Sequence, residues 1–297
     1  MAFSKRALRN IEGYLYILPW LAGLLLFFLG PMLASIGLSF TKYEILTPME
    51  WIGLENYKAL FQDPKFYKSL SNTVYYVMGV VPLRIVLGLM LAVLLNSKLP
   101  GMRLYRTAFY IPSVTAGVAI ALLWTWIFEP MYGVLNNILA VFGIEGPPWL
   151  GSESWAMPAM IIMGAWHTGR SMLVSLAGLQ SVPPHLYEVV DLDGGGDWRK
   201  FWHITVPLMT PIIFFNIVVE TIATFQVFAN AFIMTGGGPN NATLVYILYL
   251  YYNAFQFLHM GYASAMAWIL FFIIFGLTLF QVWGSRRWVY YEGVKAR

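Results

Sequence analysis

Formal charges are missing from long stretches of this chain, and the gaps between them set its architecture. No Asp, Glu, Lys or Arg falls between Glu12 and Lys42. Residues 70–95 are interrupted only by Arg84, and Thr107–Phe128 is uncharged. Residues 155–180 contain His167 and Arg170, and from Thr221 to Ser285 the only ionisable exception is His259. A helix needs about 20 largely apolar residues to cross a bilayer. The last stretch is too long for one helix, and Thr235-Gly-Gly-Gly-Pro-Asn-Asn241 does not hold a helix against lipid. The pattern predicts an all-α polytopic membrane protein with six transmembrane helices, at about 14–40, 70–95, 107–128, 155–180, 208–235 and 261–284. Lys5, Arg6 and Arg9 precede the first apolar run as in a signal peptide. That run exceeds the roughly 7–15 residues of a signal core, so it reads as a retained helix. The spans form one transmembrane domain, 14–284, between tails 1–13 and 285–297.

Composition agrees. The 297 residues are 59% hydrophobic and 11% charged, less than half the roughly 25% charge of a soluble domain. An ordinary cytosolic enzyme, a disordered chain and a nucleic-acid-binding module are excluded, since the net charge of +4 is scattered near segment ends. With no cysteine there is no disulfide scaffold, zinc–thiolate site, iron–sulfur centre or cysteine nucleophile. Lys and Arg set the orientation. With the N-terminus inside, the inner pieces hold twelve: Lys5, Arg6, Arg9, Lys98, Arg103, Arg106, Arg199, Lys200, Arg286, Arg287, Lys295 and Arg297. The outer loops hold four, Lys42, Lys58, Lys65 and Lys68. Both termini are therefore expected to be cytoplasmic.

The inner loop at 182–207 is the one most unlike a linker. Pro183 and Pro184 suit a helix start, and a short helix carrying Glu188 and Asp191 is expected to end at Gly194–Gly196. Asp197 is expected to cap a second helix, which Pro207 ends as the fifth span begins. Leu186, Val189, Val190, Phe201, Trp202 and Ile204 are more apolar surface than a solvated linker needs. They imply a partner, either the rest of this chain or a soluble subunit, unless the pair simply lies on the membrane surface.

The order Glu188, Asp193-Gly194, Phe201, Ile204, Pro207 resembles the EAA loop of ABC-importer permeases. The sequence departs from that pattern at Val189, Val190 and Gly195, where the family usually has Ala. Asn56-Tyr57-Lys-Ala-Leu-Phe61, Asn72-Thr73, Arg106-Thr-Ala-Phe-Tyr-Ile-Pro112, Tyr132-Gly133-Val-Leu-Asn136 and Gly236-Gly-Gly-Pro239 add to the resemblance. Together they are similar to the carbohydrate-uptake branch, which includes maltose, glycerol-phosphate and multiple-sugar permeases, and the chain looks more like the first-type subunit. The resemblance spans residues 15–297. It implies the type I ABC importer permease fold, a second permease as heterodimer partner, two cytoplasmic ATPase subunits, an extracytoplasmic solute-binding protein and a sugar or oligosaccharide as solute. It assigns Glu188, Asp193, Gly194, Phe201 and Pro207 to ATPase coupling, and loops 42–69, 129–154 and 236–260 to the binding protein. No Gly-x4-Gly-Lys-Ser/Thr loop is present, so this chain is expected to bind no cofactor, perform no covalent chemistry and leave ATP hydrolysis to its partners.

Ionisable groups within spans are costly, so each is a candidate for function. His167 and Arg170 lie three apart, and Glu220 and Thr224 four apart with Asn216 on their face. The resemblance places His167, Arg170, Glu220 and Thr224 along the solute pathway. An Arg170–Glu220 salt bridge holding two helices together is the structural alternative. Arg84 either meets a carboxylate of the partner permease or faces a water-filled vestibule. Gln226 and Asn230 line the pathway or an interface, and Phe225 and Tyr246 are aromatic stacking candidates. His185 and His203 have neither metal nor catalytic spacing. The rival reading is a secondary transporter with Arg170, Glu220 and His167 as an ion relay. A permease for glycerol-phosphate-type solutes is a variant of the first.

Overall fold

The computed structural model describes residues 5–97 and 99–290. Lys98, Lys295 and Arg297, three of the twelve basic residues expected inside, lie outside the described residues, as do residues 1–4 and most of the expected C-terminal tail. The chain is helical almost throughout. Its only strands among the described residues are β1 (Thr41–Lys42) and β2 (Glu50–Trp51), paired antiparallel as a two-residue ribbon.

The chain divides into two compact units. One comprises the residues up to Asp63 together with Leu250–Phe271, and the other Pro64–Tyr249 together with the residues from Phe272 on. In the first unit, α1 (Lys5–Leu24) continues through a π turn at Leu25–Leu29 into α2 (Gly30–Ser39). The π turn lets the helix tolerate Pro31. Pro lacks an N–H and its ring collides with a carbonyl four residues back, and the wide turn displaces that carbonyl. The ribbon and α3 (Glu55–Gln62) follow. Asn56 explains its own motif, because its Nδ2 donates to the carbonyls of Ser39 and Thr41 at 2.9 and 2.8 Å, pinning α3 to the end of α2. The Tyr57 hydroxyl donates to Ser39 Oγ at 2.8 Å.

The second unit is built around α4 (Pro64–Leu95), against which pack α8 (Ala156–Trp166), α9 (Gly169–Ser181) and α12 (Val206–Phe225). One apolar cluster joins Ala92, Leu176, Leu179 and Met209 from α4, α9 and α12. Another joins Ile120, Ala121, Phe128, Trp149, Ala159, Met163 and Met234. The remaining motifs sit at joints. Asn72 Nδ2 donates to the carbonyls of Asn241 and Leu244 at 2.8 and 3.0 Å, and Thr73 Oγ1 accepts the Tyr246 amide at 2.8 Å, so this pair secures the Gly-Gly-Gly-Pro loop. Arg106 Nε and Nη2 both donate to the last carbonyl of α4, Leu95 O, at 3.1 and 2.7 Å. Asn136 clasps the carbonyls of Pro130 and Pro147 and accepts the Trp149 indole N–H at 2.6 Å.

Among the described residues four helices are long and apolar enough to cross a membrane: Gly13–Ser39, Pro64–Leu95, Asp197–Phe225 and Met260–Ser285 (the last is α15). The third and fourth expected spans are not single helices. The third is α5 (Met102–Val114) and α6 (Gly117–Ile127), bent by 98° where Thr115 and Ala116 are extended. The fourth is α8 followed by α9, with His167 and Thr168 between them. Just past this break α9 approaches α5 closely. A side chain at Gly169 would meet Phe109 O at 2.6 Å, Ser113 Oγ at 2.6 Å and Tyr110 Cα at 3.0 Å. Two of these are backbone atoms, which cannot swing aside as a flexible side chain would, so only glycine fits.

Replacing Gly169 by Ala is therefore expected to lower stability by about 1–3 kcal/mol, the usual cost of overpacking. Gly276→Ala, whose added methyl would meet nothing within 4 Å, is expected to be neutral or stabilising, since helix-interior glycine costs about 0.5–1 kcal/mol relative to alanine. Thermal unfolding of the two variants in detergent, read beside the unaltered chain, checks both.

Candidate functional site

Two sites emerge, joined by one helix. The first is the loop at 182–207. Pro184 is the first residue of α10 (Pro184–Leu192), where its missing N–H costs nothing. The helix closes with the amides of Asp193, Gly194 and Gly195 bonded to the carbonyls of Val189, Asp191 and Val190. Gly194 has φ +74°, a left-handed conformation that only glycine adopts cheaply. Gly195 accounts for one departure from the family pattern. A side chain there would meet Val190 Cγ1 at 2.5 Å, so the valine fills the space that an alanine at 195 would need.

α11 (Asp197–Lys200) begins at Asp197 itself, with Gly196 in the capping position and no side-chain cap. The expected N-cap is thus one residue out. Asp197 instead places its charge in the first turn, where the helix dipole favours an anion. Lys200 Nζ reaches Asp191 Oδ1 at 2.6 Å and Asp197 Oδ1 at 3.5 Å, closing the elbow between the two helices. Pro207 does not end this second helix. A π turn at Phe201–Thr205, with the Val206 amide bonded to Phe201 O, carries the helix on into α12. It is the device seen before Pro31, at the same offset. Tyr187 and Thr205 hydroxyls lie 3.1 Å apart and tie α10 to that turn.

Glu188, Asp193 and Gly194 are exposed at the loop's outer end. So are Leu192 and Trp198, the most exposed apolar side chains there at 88% and 75%, which the loop's apolar pattern alone did not single out. Phe201 and Pro207 lie elsewhere. Phe201 is half-buried and, with Trp198, Trp202 and Val206, faces Val86, Leu89, Met90, Val93 and Leu94 of α4 across an apolar cavity of about 560 Å³.

The second site centres on Glu220, in the last turns of α12 and buried. Its partner is Arg84: Arg84 Nη1 lies 2.8 Å from Glu220 Oε2, with side-chain exposures of 15% and 8%. Arg84 Nε also donates to Gly164 O at 2.7 Å. That carbonyl is near the C-terminal end of α8, where the helix no longer supplies full bonding. The alternative Arg170–Glu220 pair is not formed; Glu220 meets Arg84 instead, and Arg84 also lines a neighbouring cavity. Arg84 Nη1 and Glu220 Oε2 satisfy each other. Arg170 is exposed on α9 and forms no hydrogen bond or ion pair among the described residues. His167 is half-buried at the α8–α9 break, its Nδ1 3.3 Å from Met163 O. Asn216 Nδ2 donates to Ser175 Oγ at 3.2 Å and stitches α12 to α9.

Beside the pair opens a cavity of about 400 Å³, lined by Tyr76, Arg84, Thr224, Gln226, Phe228 and Asn230 among others. Thr224 is buried, and its Oγ1 has no hydrogen-bond partner among the described residues. The backbone leaves the helix at Gln226 and resumes at α13 (Ala229–Met234), within the expected fifth span. Non-helical backbone at membrane depth persists only where it lines a cavity or is buried in protein, and here it lines this one. Gln226 and Asn230 face it, whereas Phe225 and Tyr246 are buried away from it. Tyr76, on α4, was not legible as a site residue; only its position two turns before Arg84 pointed to it.

Residues 84–290 match the family of binding-protein-dependent transport system inner membrane components. The chain is 43% identical over 296 residues to the probable ABC transporter permease protein YesP of Bacillus subtilis (strain 168), covering 97% of this chain and 96% of that protein. It is 34% identical over 291 residues to the lactose transport system permease protein LacF of Rhizobium radiobacter, covering 95% and 97%. A chain in the crystal structure of a bacterial alginate ABC transporter, in complex with an alginate pentasaccharide-bound periplasmic protein, superposes with a TM-score of 0.82 at 26% identity, covering 95% of this chain and 96% of that one. This chain belongs to the binding-protein-dependent family, as a multi-pass inner-membrane transport component. Its fold is that of the type I importer permeases.

Removing one partner of a buried ion pair strands the other, at a cost of about 3–5 kcal/mol. Arg84→Gln and Glu220→Gln are each expected to destabilise by that order. The double variant is expected to lose much less than the sum, measured as a double-mutant cycle of unfolding in detergent.

Proposed function

We propose that this chain is one of two permeases in an ATP-driven, binding-protein-dependent importer whose solute is a sugar or oligosaccharide. The loop at 182–207 carries the reading: an elbow of two helices, closed by Lys200, with Glu188, Leu192, Asp193 and Trp198 presented outward. A secondary carrier has no use for such a loop. The ion-relay reading also loses its carboxylate, because Glu220 is committed to Arg84 rather than to Arg170 or His167. Lactose and alginate in the descriptions of two relatives support a saccharide.

In this proposal Glu188, Asp193 and Gly194 seat on a cytoplasmic ATPase, with both termini on that side. Phe201 and Pro207 serve a second role, holding the loop to α4 and launching α12. A second permease supplies the other half of the pathway and a second loop for the other ATPase. An extracytoplasmic binding protein delivers solute to loops 42–69, 129–154 and 236–260. Nucleotide is hydrolysed by the partners, and this chain performs no covalent chemistry. Glu220 and Thr224, with Arg84, Tyr76, Gln226 and Asn230, supply hydroxyl, amide and charged groups suited to a polyhydroxylated solute, and His167 and Arg170 flank the same stretch of pathway. When ATP draws the two ATPases together, the loops move with them. The helical run from Asp197 to Glu220 carries that movement over about 35 Å at 1.5 Å per residue.

Glu188→Lys is expected to abolish ATP-driven uptake in proteoliposomes while solute binding to the isolated binding protein is unchanged. Gly194→Val, strained at its positive φ, is expected to act the same way. Uptake that persists without the ATPase subunits and follows a proton gradient would overturn the proposal.

A further inference from the structure

The charges within the spans do not balance inside this chain. Arg84 and Glu220 cancel at 2.8 Å, and Arg84 is held further by Gly164 O. Arg170 remains. It is exposed, has no acceptor among the described residues, and is the one formally charged residue of the stretch 155–180. Along α9 the buried residues are Gly169, Ser171, Met172, Ser175, Leu176, Gly178 and Leu179. The opposite stripe runs through Arg170, Leu173, Val174, Ala177 and Gln180, the helical spacing of one face turned away from this chain. A cation at the membrane interior is costly, and such groups turn to an aqueous path or pair with an anion. A face that begins with Arg170 and ends with Gln180 is not a face for lipid.

We infer that Arg170 is a solute-binding residue and that the transported solute is an acidic saccharide, whose carboxylate pairs with Arg170 as it passes. The inference rests on the saccharide reading above and narrows its substrate class. Charge complementarity decides for the solute: Glu220, the carboxylate within the expected spans, is already neutralised by Arg84, so the formal charge left over there is the cation Arg170. A planar guanidinium presents paired N–H groups that match a carboxylate's two oxygens. A hydroxyl-rich neutral sugar needs no such uncompensated charge.

The test is uptake by the whole transporter, reconstituted with its binding protein, using size-matched pairs of oligogalacturonates and neutral galacto-oligosaccharides. The expected result is ATP-dependent uptake of the acidic series. Arg170→Gln should lower it at least tenfold at saturating binding protein, with the complex still eluting intact, while Arg170→Lys keeps most of it. Uptake confined to neutral saccharides would overturn this inference and leave the saccharide reading standing. Loss of complex assembly in R170Q would also overturn it, assigning Arg170 to a carboxylate of the partner permease. Failure to take up any saccharide would sink both readings together.

Discussion

One buried ion pair organises the larger unit. Arg84 on α4 reaches Glu220 on α12 and a carbonyl at the end of α8, so a single guanidinium joins three helices. Each partner would be costly alone in so apolar a setting. Together they fix where α8 ends and which turn of α12 faces α4. The cavity beside them follows from that arrangement, since Arg84 is in its wall and the unwound residues after α12 form its floor. An apolar core could hold the same helices together. It would not specify so narrowly which residues meet.

The loop and the pair do different work. Glu188 and Leu192 point outward, Glu188 with no hydrogen bond or ion pair among the described residues, whereas Arg84 and Glu220 satisfy one another. Between them the sequence uses the same device twice. A π turn sits immediately before Val206-Pro207, as another does before Gly30-Pro31, and in each case the helix continues past a residue that ordinarily breaks it. Gly195 and Val190 show a second local compensation, a missing side chain matched to a larger neighbour.

Much of this was legible in the sequence. Charge-free stretches located the apolar helices because a single segment in lipid must satisfy its own backbone hydrogen bonds, and the turn at Gly194 was readable from glycine's access to positive φ. What escaped was whatever depends on distance in space. Spacing put Arg170 and Glu220 on facing spans, but Arg84 is 136 residues from Glu220 and no local pattern pairs them. The bend at Thr115 and the break at His167 were hidden too, because apolar content is blind to whether a helix is continuous. Pro207 misled for the opposite reason: proline is a strong local signal, and the π turn that neutralises it leaves no mark in composition.

The unbroken helical run across Pro207 also bears on timing. A hinge between loop and cavity would permit an intermediate in which one has moved and the other waits. From Asp197 to Phe225 the backbone runs as one helix through the π turn at Phe201–Thr205 and past Pro211, so in the proposed importer a displacement imposed at the loop and a change at Glu220 would belong to one kinetic event. Coupling built this way leaves little room for slippage, the waste of a power stroke without passage of solute.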